Sequence, residues 1–179
     1  MKRIYLIGFR GTGFRETKFS REPALIRAGH VAFAFEGAED HILGFHPTTA
    51  AVEAVGGAEA AIAWLKAKQT LDGTLHEDYN IFVRAVELAQ QGARTAVWQL
   101  AVEVSDEDFE RIRQQAITWY TAKQVFVYTF PPDEPMPDRD NCATFPRRLG
   151  LPLLDPVGQI KDYVQALETQ GEPWKPKGR

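Results

Sequence analysis

Apolar and polar residues follow strand-like patterns in three short segments near the start of the chain. A buried strand is predicted over residues 3–8, where it leads into a glycine-rich loop. Two further strands, over residues 30–35 and 41–46, flank an acidic turn centred on Ala38 and end at Pro47. The first part of the chain is therefore expected to contain a β-hairpin.

The rest of the chain mixes helical spacing with further strand patterns. Strands are predicted over 95–104 and 125–130, and helices over 57–68, 77–91 and 141–149. A further helix is predicted from the N-cap Ser105 to Tyr120, with Asp108 in a capping-box position. The last helix is predicted to start at Asp155-Pro156. Residues 69–76 and 131–140 are expected to be loops. Because the predicted strands and helices do not follow one another as repeated βαβ units, their order predicts an α+β fold with a largely antiparallel sheet.

The composition is that of one globular domain, predicted over residues 1–169 and followed by a frayed tail over residues 170–179. The chain has 179 residues, of which 44% are hydrophobic and 25% are charged, with a formal net charge of −3. This charge excludes a fold-wide basic surface for nucleic acid. A lone cysteine, Cys142, excludes a disulfide framework and multi-cysteine metal sites.

Membrane and export signals are not expected. No apolar run approaches the roughly 20 residues of a membrane span. The run Ile4 to Ile7 is interrupted by Gly8 and Arg10, so it does not make the apolar centre of a signal peptide. The sequence therefore predicts a soluble cytoplasmic protein, with export without a cleaved signal as the alternative. It leaves the oligomeric state open.

The glycine-rich loop after the first strand invites comparison with phosphate-binding loops. Gly8 and Gly13 have the spacing of the two glycines in a Walker A loop. However, Phe14 and Arg15 occupy the positions that require lysine and serine or threonine. A turn with positive φ is therefore favoured, and a phosphate or nucleotide binder that uses Gly8–Gly13 is a lesser alternative.

Cys142 and two histidines form a candidate catalytic set. Cys142 lies at the start of a predicted helix, where the first N–H groups stabilise a thiolate. A hairpin that turns at Ala38 places His30, at the start of one strand, opposite His46, at the end of its partner. A nucleophile, a base and an orienting group are the parts of a catalytic triad.

Two short motifs resemble the circularly permuted papain-like (NlpC-type) cysteine hydrolases, which include the lecithin:retinol acyltransferase-like proteins. They are GHVAF at 29–33 and NCATF at 141–145, with a strand and a capped helix between them, and the resemblance covers roughly residues 29–165. It implies a papain-like fold, Cys142 as nucleophile and His30 as general base. His46 is the first candidate for the third residue, and His41 and Glu36 are the alternatives.

The chemistry that this resemblance implies is acyl transfer through a thioester, without a cofactor or metal. The N–H of Cys142 would bind the oxyanion, and Asn141 is a candidate second donor. The substrate would be a peptide, peptidoglycan or a lipid ester, and a non-catalytic binding module of the same fold is the alternative. A zinc site of His30, His41 and His46 is disfavoured, because strand alternation separates residues 41 and 46.

Overall fold

The computed structural model describes residues 1–14, 18–130, 138–151 and 159–178. Within them, eight strands form one mixed sheet with helices packed against it. The strands are β1 (Lys2–Arg10), β2 (Gly29–Phe35), β3 (Ala38–Pro47), β4 (Leu71–Glu77), β5 (Val97–Val104), β6 (Phe126–Tyr128), β7 (Arg139–Asp140) and β8 (Glu172–Pro173). The helices are α1 (Ala24–Ala28), α2 (Thr49–Ala54), α3 (Ala58–Lys66), α4 (Tyr79–Gln90), α5 (Asp106–Thr121), α6 (Ile160–Gln170) and a 3₁₀ helix (Phe145–Leu149).

The strand order is β7-β6-β4-β3-β2-β1-β5-β8. Neighbouring strands in the described residues pair antiparallel, except that β6 and β7 run parallel. The predicted α+β class with a largely antiparallel sheet is therefore confirmed. None of the helices in the described part of the chain has the length and apolar character needed to cross a bilayer.

The hairpin of β2 and β3 has the predicted register but a different turn. Ala32 pairs with Gly44, and the same register extended by two residues places His30 opposite His46. The prediction of a turn centred on Ala38 is wrong, because Phe35 already pairs with Ala38. A two-residue turn fits the twist of the strands better, and an irregularity between residues 33 and 35 restores the register.

Strand β4 occupies a segment predicted to be a loop. The pair Asp72-Gly73 has the composition of a turn, yet it forms bridges to β6. A Cβ atom on Gly73 would lie 2.6 Å from the ring of Phe45, so the glycine is needed for close packing. The loop prediction over 69–76 is therefore wrong because tertiary packing, rather than turn geometry, requires the glycine.

The end of the chain packs onto the sheet. Glu172 and Pro173 form β8 against β5, and the Trp174 side chain is buried against Tyr79 and Phe82. The prediction of a frayed tail is therefore wrong for this segment, since burying an indole ring stabilises its position. The predicted helix start at Asp155-Pro156 lies outside the described residues, as do residues 131–137 of the predicted loop.

Two other local predictions are confirmed. Strand β5 lies within the predicted range 95–104, and α5 follows it directly. The Ser105 hydroxyl accepts a hydrogen bond from the N–H of Asp108 at 3.0 Å, as expected for an N-cap. The predicted strand over 125–130 is shorter in the structure, where only β6 has strand geometry.

Side-chain alternation divides the buried residues between the two faces of the sheet. The larger core includes Leu6, Val31, Phe33, Phe45, Cys142, Phe145 and Tyr163. The smaller core includes Phe9, Ala32, Ala34, Ile42, Phe82 and Trp174. Consecutive residues of β2 therefore contribute to opposite faces, and this division determines how the candidate site is built.

Candidate functional site

His30 lies at the start of β2 with its side chain fully buried. Its ring centroid is 5.8 Å from that of Phe82, on the smaller-core face. The Nε2 atom lies 2.7 Å from Oδ2 of Asp78, a short distance typical of a hydrogen bond to a carboxylate. Its other nitrogen, Nδ1, is buried and has no hydrogen-bond partner among the described residues.

Asp78 joins the two predicted histidines. Its Oδ1 atom lies 3.0 Å from Nε2 of His46, while Oδ2 faces His30. Asp78 immediately precedes α4 but makes no side-chain capping bond there, because both oxygens are directed at the imidazoles. Sequence reasoning missed this residue. Its one local signal was an aspartate before a helix, which ordinarily indicates a cap.

The charge of Asp78 determines how the two imidazoles are protonated. Burial disfavours the carboxylate, but the hydrogen bonds with His30 and His46 outweigh burial and hold the Asp78 pKa well below its usual range. A carboxylate accepts hydrogen bonds only, so the proton of each imidazole lies on Nε2. A neutral His30 therefore has its lone pair on Nδ1, which is the form that acts as a general base.

His76 covers the network from β4. Its ring is stacked on that of His46, with the centroids 3.6 Å apart and the planes at 11°. Burial, followed by the nearby charge on His46, lowers the His76 pKa to about 4. His76 is therefore neutral at neutral pH and contributes a flat ring rather than a charge.

Gly44 makes room for this network. It pairs with His76 across β3 and β4 and lies beside the His30 and Asp78 side chains. A Cβ atom at position 44 would overlap both Oδ2 of Asp78 and Nε2 of His30. A glycine is therefore required for close approach at this position.

Cys142 lies in a turn that Asn141 holds together. The Oδ1 atom of Asn141 accepts hydrogen bonds from the N–H groups of Ala143 and Thr144, at 2.8 and 2.9 Å. Helical geometry begins at Phe145 and is 3₁₀, with Pro146 in its first turn. The prediction of a helix over 141–149 is therefore wrong at its start, because the side chain of Asn141 builds a turn there.

The Cys142 thiol is protonated in this environment. The side chain is 2% exposed, and burial raises the pKa of Cys142 to about 12, with a further contribution from the Asp78 charge. The backbone N–H groups of Val31, Cys142 and Ala143 oppose this increase in the pKa. The sulfur thus lies among backbone donors, in apolar surroundings.

The structure joins His30 and His46 through Asp78, but it does not join Cys142 to His30 by a hydrogen bond. Cys142 packs in the larger core, whereas His30 contacts Phe82 on the opposite face. Val31, the residue that follows His30, belongs to the same buried core as Cys142. Nucleophile and base therefore lie at the same end of one strand, on its two faces.

The alternative third residues lie outside this network. The His41 side chain is 67% exposed, and its Nε2 atom is 3.9 Å from Asp40. Glu36 accepts a hydrogen bond from the N–H of Arg3 at 2.8 Å. Within the described residues, no contact joins either of them to His30, and the carboxylate that contacts His30 is that of Asp78.

The glycine-rich segment uses its amides within the chain. Gly8 lies within β1, so the loop begins only at Gly11. The N–H groups of Thr12 and Gly13 donate to the carbonyl oxygens of Ile26 and Arg27 at 3.1 and 2.9 Å. Because these donors are already paired, they do not form the open amide cradle of a phosphate site.

A cation could in principle be held by His30, His46 and Asp78, whose ligand atoms lie within 4.8 Å of one another. Metal-bound histidines usually donate their second N–H to an acceptor. A metal on Nε2 of His30 would place a proton on Nδ1, which is buried and has no acceptor among residues 1–14, 18–130, 138–151 and 159–178. The arrangement therefore fits a hydrogen-bonded network better than a metal centre, and the exposed His41, part of the zinc site that the sequence disfavours, is not in this group of potential ligands.

A small apolar cavity adjoins His46 and Tyr128. Its volume is about 130 Å³, and its walls come mainly from α1 and α3. Larger apolar side chains in these walls are Leu25, Ile62, Leu65 and Phe130. Tyr128 belongs to the same buried core as Cys142 and pairs with Asp140, two residues before the cysteine, which places the cavity near the thiol.

In comparisons with protein-family models, curated proteins and solved structures, nothing matches this chain. The function must therefore be argued from the geometry of the site.

Proposed function

We propose that this protein is a cysteine-dependent hydrolase or acyltransferase that acts on an amide or ester through a thioester at Cys142. The observation that carries the proposal is the state of His30. Asp78 fixes its ring through Nε2, and Nδ1 is buried with no partner among the described residues, while the next residue, Val31, shares a buried core with Cys142. An oriented base and a thiol at the same end of one strand are parts that nucleophilic catalysis requires, and the proposed reaction needs them to meet when substrate binds.

The proposed reaction has two steps. In the first step, Nδ1 of His30 takes the thiol proton as the Cys142 sulfur attacks the carbonyl carbon. The oxyanion that forms accepts a hydrogen bond from the N–H of Cys142. The bond to the leaving group then breaks, and His30 returns the proton to that group. In the second step, His30 deprotonates water or an acceptor alcohol or amine, which attacks the thioester and releases the thiol.

The high pKa of Cys142 defines when the proton moves. A thiol with a pKa of about 12 is not a thiolate before substrate binds. Proton transfer to His30 therefore accompanies the attack, as it does with a serine nucleophile, rather than preceding it. Asp78 stabilises the imidazolium that forms, and His46 holds the second carboxylate oxygen in place.

We propose that the α+β fold is a permuted papain-like fold. The order of its functional parts supports this interpretation: the strand with His30 comes first, the strand β5 and capped helix α5 follow, and the Cys142 turn comes last. The third residue in this version is an aspartate placed between β4 and α4. His46 becomes a second partner of that aspartate.

The apolar cavity supports an acyl group with a small aliphatic part as the substrate. Among the residues that line it, His46 is the one titratable group besides Tyr128, and the remaining walls are apolar or backbone. A dry apolar cavity of roughly 150 Å³ accommodates a molecule the size of benzene, so about 130 Å³ suits a chain of about four to six carbons. Esters or amides of short aliphatic acids are therefore the first substrates to test.

The test measures acylation by p-nitrophenyl acetate, with intact-mass detection of the acyl adduct. We expect Cys142→Ala to lose the adduct and His30→Ala to slow acylation by about 10²- to 10⁴-fold, the usual contribution of general-base catalysis. Asp78→Asn should slow acylation while leaving the adduct at Cys142. His41→Ala is the matched control, because His41 is exposed and outside the network.

Two results would contradict this proposal. An adduct that persists in the Cys142→Ala variant would place the chemistry elsewhere. A folded wild-type protein that forms no adduct with acetyl or butyryl esters would support a non-catalytic binding module.

A further inference from the structure

The hydroxyl of Tyr163 is buried in the larger core without a partner. The Tyr163 side chain is fully buried on α6, and its Oη atom forms no hydrogen bond with the described residues. Cys142 belongs to the same core. A phenylalanine would bury the same ring without desolvating a hydroxyl, so the hydroxyl calls for an explanation.

Helix α6 brings this hydroxyl to the strand end where Cys142 lies. A Cβ atom on Gly29, the first residue of β2, would be 3.2 Å from Ile160. Tyr163 follows Ile160 by one helical turn, on the side that packs against the sheet. Val31, two residues after Gly29 along β2, lies in the same buried core as Cys142 and Tyr163.

The electrostatics agree with this placement. Burial, and then the negative charge that Cys142 would carry as a thiolate, raise the pKa of Tyr163. The phenol therefore keeps its proton at neutral pH and is available as a hydrogen-bond donor. The candidate second donor, Asn141, uses its side-chain oxygen to cap the cysteine turn.

We propose that Tyr163 Oη–H is the second donor of the oxyanion hole, paired with the N–H of Cys142. This inference rests on the proposed acyl transfer at Cys142. The hydroxyl would be unpartnered in the free enzyme and would gain its acceptor when the carbonyl oxygen becomes an oxyanion. A donor that is paired only in the transition state contributes to the rate rather than to substrate binding.

The decisive variant is Tyr163→Phe, which removes one oxygen atom and keeps the ring. With p-nitrophenyl acetate, we expect kcat for acylation to fall by about 10²- to 10³-fold with KM little changed, the usual cost of losing an oxyanion donor. The melting temperature should stay the same or rise, because an unpartnered hydroxyl is removed. Tyr120→Phe is the matched control, since Tyr120 lies exposed on α5.

The outcomes separate this inference from the proposed function. If Cys142→Ala is inactive but Tyr163→Phe acylates at the wild-type rate, the oxyanion role is wrong and acyl transfer stands. If Cys142→Ala is as active as wild type, the proposed function itself fails. A lower melting temperature for Tyr163→Phe would show that the hydroxyl has a structural partner, which would also overturn the inference.

Discussion

The two faces of the sheet bury polar groups in opposite ways. On the smaller-core face, His30, His46 and Asp78 bond to one another, and the carboxylate uses both oxygens. On the larger-core face, the Cys142 thiol and the Tyr163 hydroxyl lie among apolar side chains. The first arrangement orients the imidazole rings within the free protein, whereas the second leaves a thiol and a hydroxyl that could hydrogen-bond to a ligand.

Residue size along the strands explains this difference. On the smaller-core face, β2 and β3 present Ala32, Ala34 and Gly44, which leave space for imidazole rings. On the other face the same strands present Phe33 and Phe45, which fill the space with aromatic rings. A polar network therefore fits on one face, and a desolvated thiol on the other.

The largest expected effect comes from adding one methyl group to each face. Gly44→Ala places a Cβ atom on Asp78 and His30, so the buried carboxylate loses its partners and the protein should lose about 3 kcal/mol or more. Gly8→Ala meets the flexible Leu167 side chain at 2.9 Å, and we expect a loss of about 1 kcal/mol. Urea denaturation of both variants measures the comparison, and equal losses would show that the network is not rigid.

An intermediate effect is expected at alkaline pH from the buried thiol. Unfolded Cys142 titrates near pH 8.5, whereas burial raises its folded pKa to about 12. Stability from this group is therefore complete below about pH 8.5 and declines above it, by about 1.4 kcal/mol per pH unit. Cys142→Ala should remove that slope in urea titrations between pH 8 and 10. An unchanged slope would mean that the thiol is not desolvated.

The smallest effect is expected from His76 at mildly acidic pH. Its folded pKa of about 4 is below the unfolded value of about 6.5, so the stability it contributes is present above pH 6.5 and declines as the pH falls toward 4. Because His76 is partly exposed, we expect less than about 1 kcal/mol. His76→Phe, which keeps a ring in the stack, should make the free energy of unfolding nearly independent of pH between about 4 and 6.5. It should leave the loss at still lower pH, where Asp78 is protonated.

Local patterns predicted much of the fold. The alternation in β5 and the Ser105 cap depend on neighbouring residues, and both are present in the structure. The β2–β3 register followed from two apolar runs, although the turn differs. Strand β4 was missed, because the glycine at position 73 accommodates the Phe45 ring from a different strand. No local pattern contains that contact.

The candidate site likewise has features that local sequence predicts and features that it does not. His30 and His46 could be paired from hairpin register, because register is a property of adjacent strands. Asp78 could not be assigned, since it is 48 residues from His30 and its sequence context resembles a helix cap. The protonation state of the Cys142 thiol could not be predicted from the sequence either, because its high pKa comes from burial by distant elements.

The sequence by itself determined many of the elements, the α+β class and which side chains could do chemistry, since these depend on short-range periodicity and residue type. Only the tertiary structure decided which buried polar groups have partners. Asp78 joins two histidines, while Nδ1 of His30 and the Tyr163 hydroxyl have no hydrogen-bond partner in the part of the chain that the structure describes. The reason is physical: a hydrogen bond depends on atoms meeting within about 3 Å, and packing of distant segments determines which atoms meet.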